Sequence, residues 1–410
     1  MTCFARKQLL QSMAMALGAM VLAGCQTYNQ QNKFADVYRH GDLANAEKEA
    51  AKKAADTQNS KDAVIWRLEE AAILRAANKL EASNKSFDAA EQRIDQYAQE
   101  AKVKVGSEAG ALLSNQANLP YRGRSYDGIM ANTYKALNYL TLGEIDKARV
   151  EITRAYIRQQ DAVEENKKRI EKTQADLDAA KEKERIEKAR QDEKFKGQMA
   201  GAYADLDKLS TYADYVNPFT VYLEGLYYMH CSTGLSDLEK ARQALQRVSA
   251  YVPNNKFVKA DQEATEALAQ GKEIPPTTYV IFETGRAPIR EQIRIDIPII
   301  VVNVSYVGAA FPTFKPQDDY LPNLVVTGTG VSASTELIAS MDSVIGHDFK
   351  NELPSIITKT MASTIAKAAA GYAANAAASN ADSTLGLFVR IATAATQAAM
   401  NIADERTWTT

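Results

Sequence analysis

Tyr126-Asp-Gly-Ile-Met-Ala-Asn-Thr-Tyr-Lys-Ala-Leu-Asn-Tyr-Leu-Thr-Leu-Gly-Glu-Ile-Asp-Lys-Ala-Arg-Val-Glu-Ile-Thr-Arg-Ala-Tyr-Ile-Arg-Gln-Gln160 decides how this chain is read. Ala136 and Tyr139 belong to a first helical run, and Gly143 supplies a turn. Ile145, Ala148, Ile152 and Ala155 then recur at helical spacing. The small residues let two helices approach closely, and the bulky one fills the groove between them. The stretch therefore predicts a helical hairpin.

The same order of turn, small and bulky residues recurs elsewhere. Gly41-Asp-Leu-Ala-Asn-Ala46 precedes an Ala-rich run. Asn78-Lys-Leu-Glu-Ala-Ser83 is followed by Phe87 and Ala90. Leu238-Glu-Lys-Ala241 is followed by Leu245, Val248 and Pro253. The pattern resembles the tetratricopeptide repeat, a helical hairpin of about 34 residues. Units are expected at 34–56, 62–98, 126–160 and 218–253. The small anchors at 46, 83, 148 and 241 do not step evenly, so insertions interrupt the array. A generic helical bundle is the plainer alternative.

Asp161–Lys196 is the main insertion, within a charged segment taken as 161–200. It holds 11 basic and 11 acidic residues among 36. Val163, Ile170 and Leu177 recur every seven, a thin apolar seam. Ion pairs three or four residues apart support such a helix. Joined to its flanks it would make a helix of about 100 Å at 1.5 Å per residue. A solvated helix or antiparallel hairpin is favoured over a partner-binding coiled coil.

Composition changes after Gly271. Ile274-Pro275-Pro276 breaks helix, and β-branched residues follow. Thr278–Glu283, Gln292–Ile297, Ile299–Val307, Ala309–Phe314 and Asn323–Gly328 predict a sheet of four or five strands. In Gln292–Ile297, Ile293, Ile295 and Ile297 alternate with Arg294 and Asp296. Helical pattern resumes from Glu336. Leu353–Ala378 and Leu385–Glu405 read as two Ala-rich helices, with Pro354 in a first turn. The expected fold class is mainly α. A tetratricopeptide-like array spans 34–271, with a charged helical insertion. An α+β domain follows at 277–410.

Leu22-Ala23-Gly24-Cys25 follows Arg6, Lys7 and the apolar stretch Leu9–Val21. That is the layout of a secretory signal, and its apolar run is too short to span about 30 Å of hydrocarbon. With Cys at the cut, it resembles a bacterial lipobox. The resemblance implies loss of residues 1–24, lipidation of Cys25, and a tether over 25–33. Gln26 at the next position implies the outer membrane, periplasmic face. Cys231 then has no cysteine to pair with and reads as a structural thiol.

Net charge is −2 and pI about 6.1, which argues against nucleic acid as a partner. The three histidines, His40, His230 and His347, stand at no metal-ligand spacing, so no metal or cofactor is expected. No nucleophile elbow or zinc-protease motif occurs. Asp342 with His347-Asp348 reads as polarity at a helix start. The loop Leu119–Gly128 carries Arg122, Arg124 and Tyr126, candidate contacts for a glycan or anionic peptide. Arg286, Arg290 and Arg294 suggest a basic stripe on a hairpin.

Phe282–Pro298, Phe311-Pro312 and Asp404-Glu-Arg-Thr-Trp408 resemble a family of tetratricopeptide-like bacterial lipoproteins without a settled activity. Relatives that continue past the Arg-Thr-Trp stretch would leave this chain short of a last strand. The concave side of a helical array offers a long surface for peptides or partner proteins. The expected role is therefore a non-catalytic scaffold or assembly factor for an envelope machine, binding envelope proteins, by analogy with other outer-membrane lipoproteins carrying such repeats. The alternative is a peptidoglycan- or glycan-binding module. A hydrolase has no supporting constellation.

Overall fold

Gly41, Asn78 and Gly143 end helices in the same way. Their φ values are 75°, 58° and 75°, the left-handed conformation that closes a last helical turn. At Gly143 the closing bonds run from its N–H to Leu140 O and from Glu144 N–H to Tyr139 O. A helix restarts after each turn, and Asp42 caps one such start by accepting from Asn45 N–H at 3.2 Å.

The computed structural model describes residues 30–31, 33–103, 117, 119–179, 183–209, 212, 216–301, 304–379 and 403–410. Described residues are mainly helical. After helical residues 33–39 come α1 (Leu43–Asp56), α2 (Ala63–Ala76), α3 (Leu80–Val103), α4 (Ser125–Thr141) and α5 (Ile145–Ala179). Then follow α6 (Lys183–Gln191), α7 (Glu193–Tyr203), α8 (Pro218–His230), α9 (Leu235–Tyr251) and α10 (Lys256–Ala269). Strands β1 (Ile289–Val301), β2 (Val304–Lys315), β3 (Val325–Gly328) and β4 (Val331–Ser334) precede α11 (Met341–Ser379).

Among the helices, α2 packs most extensively on α3, α4 on α5, and α8 on α9. The small residues make this possible: Ala46, Ser83, Ala148 and Ala241 are all fully buried. Gly225 on α8 shows how tight the fit is, since a Cβ there would stand 2.8 Å from Leu245 of α9. One core holds Phe34, Trp66, Phe87 and Met130; a second surrounds Leu223, Leu226, Leu245 and Val248. Between α3, α4 and α5 lies an ionic network. The Lys135 ammonium meets Asp88 at 2.7 Å, Glu91 at 2.6 Å and Glu151 at 3.1 Å. Asn132 donates to both Glu91 and Glu151 at 2.7 Å.

The charged insertion does not form one helix of about 100 Å. Asp192 leaves helical geometry and caps α7 by accepting from Phe195 N–H at 2.8 Å. A 3-10 turn at Ala204–Lys208 breaks the run again. The reason is burial: Leu177, Ile186, Ala189 and Phe195 pack under the β1–β2 hairpin and against α11. Of the seam, Leu177 is buried within the chain, whereas Val163 and Ile170 stay exposed at 42% and 54%, and most of the charges stay in solvent.

β1 and β2 pair antiparallel, with Ile293 opposite Phe311 and Ile295 opposite Ala309. Ile295, Ile297, Ala309 and Phe311 form the inner face, as the alternation predicts. Ile299–Val307 is not one strand; it ends β1 and begins β2. The described residues form two separate two-stranded ribbons, β1–β2 and β3–β4, rather than one sheet of four or five strands. Thr278–Glu283 pairs with neither, because its side chains bind helices instead.

Pro354 lies inside α11, not in its first turn. The helix starts earlier because Ile345 buries beside Tyr126 and Tyr212, and Phe349 against α7 and its following turn. Of the second expected helix, Leu385–Glu405, residues 385–402 lie outside the described residues, and 403–410 are not helical. Those last eight return to the first helices. No described helix is long and apolar enough to cross a membrane.

Candidate functional site

The loop before α4 is built around Asp127. Its carboxylate accepts from Arg124 N–H at 2.7 Å and from the Tyr121 hydroxyl at 2.6 Å. That turns the Arg124 side chain away from its own helix. Its guanidinium donates to Glu352 of α11 at 2.8 Å, and Arg290 of β1 donates to the same oxygen at 3.0 Å. The Arg290 guanidinium also stacks 4.7 Å from the Phe349 ring centroid. Burial alone would raise the Glu352 carboxyl, but Arg124, Arg290 and Arg169 hold it well below the usual range. One turn earlier, burial and the Glu352 charge push Asp348 up.

Three of the residues singled out from the sequence thus meet in one place. Tyr126 joins Arg124 and Arg290 there through its hydroxyl, 3.2 Å from the Thr407 hydroxyl. All three point inward, however, and their polar contacts are internal. Arg286 is held by Asp319 at 2.8 Å and Gln317 at 2.9 Å. Only Arg122 of the loop is exposed. No basic stripe of Arg286, Arg290 and Arg294 forms, since Arg290 is 2% exposed and closes an ion cluster. The lipobox residues Leu22, Ala23, Gly24 and Cys25 lie outside the described residues. Asp342 is in the first turn of α11, but Asp348, read with it as polarity at the helix start, is buried further along the helix. Cys231 is half-buried, and burial raises its thiol. Among the described residues no cluster of three His, Cys, Asp or Glu is placed to hold a metal.

A different surface draws the eye to the segment between Gly271 and Gly285. Both glycines take left-handed φ, 76° and 80°, so the chain turns sharply at each end of an extended strap. Two side chains anchor it. The Tyr279 hydroxyl donates to Asp261 of α10 at 2.8 Å and lies 3.0 Å from His230 Nε2 at the end of α8. Tyr222 of α8 donates to the other Asp261 oxygen at 2.5 Å. Four residues on, Glu283 accepts two bonds from Arg75 of α2, at 3.0 and 2.6 Å. Arg75 lies 4.6 Å from the Tyr134 ring of α4, whose hydroxyl faces the Glu283 carboxylate.

No protein-family model, curated protein or solved structure matches this chain. Its site is defined by geometry alone. The strap touches α2, α4 and α8, each the first helix of a pair, together with α10 after the last pair. Burial lifts the Asp261 carboxyl, lifts the Tyr279 phenol and lowers His230. The carboxylate therefore sits where a hydroxyl donor is needed.

The sequence singled out none of Arg75, Tyr134, Asp261, Tyr279 and Glu283. Arg75 did carry a signal, as a cation near the end of the apolar run Ala63–Ala76. Tyr279 and Glu283 were taken for strand residues, because an extended segment looks the same whether it pairs with a strand or lies on helices.

Proposed function

We propose that this chain is a non-catalytic scaffold or assembly factor of the cell envelope. It works through protein–protein contacts made by a tetratricopeptide-like array. The observation that carries this is the shared face of α2, α4 and α8, which holds an extended chain segment by side-chain anchors. A face lined by successive first helices suits an extended peptide better than a small substrate. The buried ionic groups add support, because Lys135, Glu352, Arg124 and Arg290 all bond to protein partners. Buried charges spent on internal pairs hold helices in register.

The lipobox supports anchoring through Cys25 in the outer membrane, facing the periplasm. Machines for cell-wall synthesis, secretion or surface appendages use lipoproteins of this layout, an inference by analogy. Peptidoglycan binding through Arg122, Arg124, Tyr126, Arg286 and Arg290 has less support, since Tyr126 and Arg290 are buried and Arg124 and Arg286 are held in internal ion pairs.

Affinity capture from crosslinked envelopes tests the scaffold role. The expected result is a small set of envelope proteins enriched over a strain lacking the bait. A profile identical to that control overturns it.

A further inference from the structure

We propose that the strap Thr277–Gly285 is a tethered self-ligand on a peptide-binding face. The ligand in trans is an extended peptide carrying a tyrosine and, four residues on, a carboxylate. This deepens the scaffold reading and rests on it. In an extended chain, positions four apart point the same way, so Tyr279 and Glu283 reach down together. Fully extended, the two residues would span about 13 Å between Cα atoms at 3.3 Å per residue. With two long side chains, that span bridges α2 to α8 across α4 at helix spacings of 8–10 Å.

Each anchor reads a chemical group. Arg75 grips Glu283 with two parallel bonds, the fork that matches a carboxylate. One Asp261 oxygen accepts from the Tyr279 hydroxyl, and phenylalanine would take that donor away and leave Tyr222 to serve the carboxylate alone. Between the anchors, Val280 and Ile281 are 46% and 41% exposed, so those positions tolerate other residues. Among the described residues, no backbone–backbone hydrogen bond ties 277–285 to the helices. The strap is held by side chains that a competing peptide can supply. Its tether gives it an effective concentration on the order of millimolar, so a free peptide competes only when it is abundant or the strap is loosened.

The test uses the full chain and a fluorescein-labelled peptide, Thr-Thr-Tyr-Val-Ile-Phe-Glu-Thr-Gly, read by anisotropy. The double variant Tyr279→Ala/Glu283→Ala is expected to bind it at least ten-fold more tightly than the unchanged chain. Adding Arg75→Ala to that variant should remove the gain. Peptides with Phe for Tyr, or Gln for Glu, should each bind at least ten-fold more weakly. Equal affinity for the unchanged chain and a folded double variant overturns the proposal. So does indifference to either peptide substitution. Should the double variant fail to fold, Glu283→Gln alone carries the test, because it alters one half-exposed ion pair. A two- to five-fold gain supports the proposal, and no gain overturns it. Envelope partners captured despite a failed peptide test would leave the scaffold standing with its site elsewhere. Peptide binding without any captured partner would keep this site and count against the envelope role.

Discussion

Trp408 packs edge-on against Phe87 of α3, with ring centroids 5.8 Å apart. Tyr134 of α4 flanks the same indole at 5.9 Å. Around it, Thr409 donates to Glu69 of α2 at 3.2 Å, and Arg406 reaches Asp62 at 3.0 Å and Leu119 O at 2.9 Å. The last residues are thus part of the core of the first helices. Trp408→Ala should cost about 3–5 kcal/mol, the usual range for a buried aromatic cut to alanine. Trp408→Phe should keep most of the stability, because the indole N–H has no partner to lose. Urea unfolding of both variants checks this; equal loss would mean that shape alone is being read.

Lys135 gives a second prediction. Burial pushes Glu91 up, but Lys135 and Arg158 more than reverse it and hold Glu91 below its ordinary value. A lowered carboxyl contributes stability above its unfolded value near 4.3, which is lost as pH falls through the folded one. Lys135→Met leaves Glu91 and Glu151 with less cation than they need, at a cost of about 3–5 kcal/mol at pH 7. With Lys135 gone, burial weighs more heavily on Glu91 and its carboxyl rises. The deficit should therefore shrink between pH 7 and pH 5, while the unchanged chain shows no such gain at this site. Melting temperatures at the two pH values decide it.

Asp348 and Glu352 stand one turn apart on α11 and should answer to pH with opposite sign. Glu352 is held low by arginines, so its contribution is present above about 4.3 and fades in acid. Asp348 is held high by burial and by Glu352. Its contribution is present below about 3.9 and is lost as pH rises through the folded value. Glu352→Gln should destabilise at pH 7 by about 3–5 kcal/mol, since two buried guanidiniums lose their anion. Asp348→Asn should instead stabilise at pH 8, on the order of 1 kcal/mol more than at pH 5. Denaturation midpoints at pH 3, 5 and 8 test both: the Glu352→Gln deficit should fade between pH 5 and 3 and the Asp348→Asn gain should grow between pH 5 and 8, and the reverse pattern would refute the assignment.

Periodicity in the sequence carried the helices well, because burial and spacing agree there. Ala46, Ser83, Ala148 and Ala241 are all fully enclosed, as small residues at a helix crossing must be. The hairpin face of Ile295 and Ile297 was legible for the same reason. What local pattern could not reveal were long-range pairings. Pro354 suggested a helix start, yet Ile345 and Phe349 extend α11 past it by burying upstream. Arg124 and Arg290 looked like surface cations, since nothing local shows that Glu352 would come between them. Thr278–Glu283 alternates like a strand but lies on helices. The strap thus had the right conformation in the sequence and no partner there.

The proposed lipidation of Cys25 makes the last prediction, and its geometry is bounded. The Gln31 side-chain amide donates to Thr407 O at 3.0 Å, so the chain is docked on the folded body by residue 31. Six residue steps take it back to Cys25, a reach of at most about 22 Å when fully extended. A diacylated Cys25 would therefore hold α1, α2 and the docked tail near the bilayer surface, since two chains anchor far better than one. Cys25→Ser should lose palmitate labelling and move from the membrane to the soluble fraction. Its melting temperature with detergent present should not change, because the lipid holds position rather than fold. Retention of the Ser variant in the membrane fraction would point to another anchor and remove the lipobox from the case.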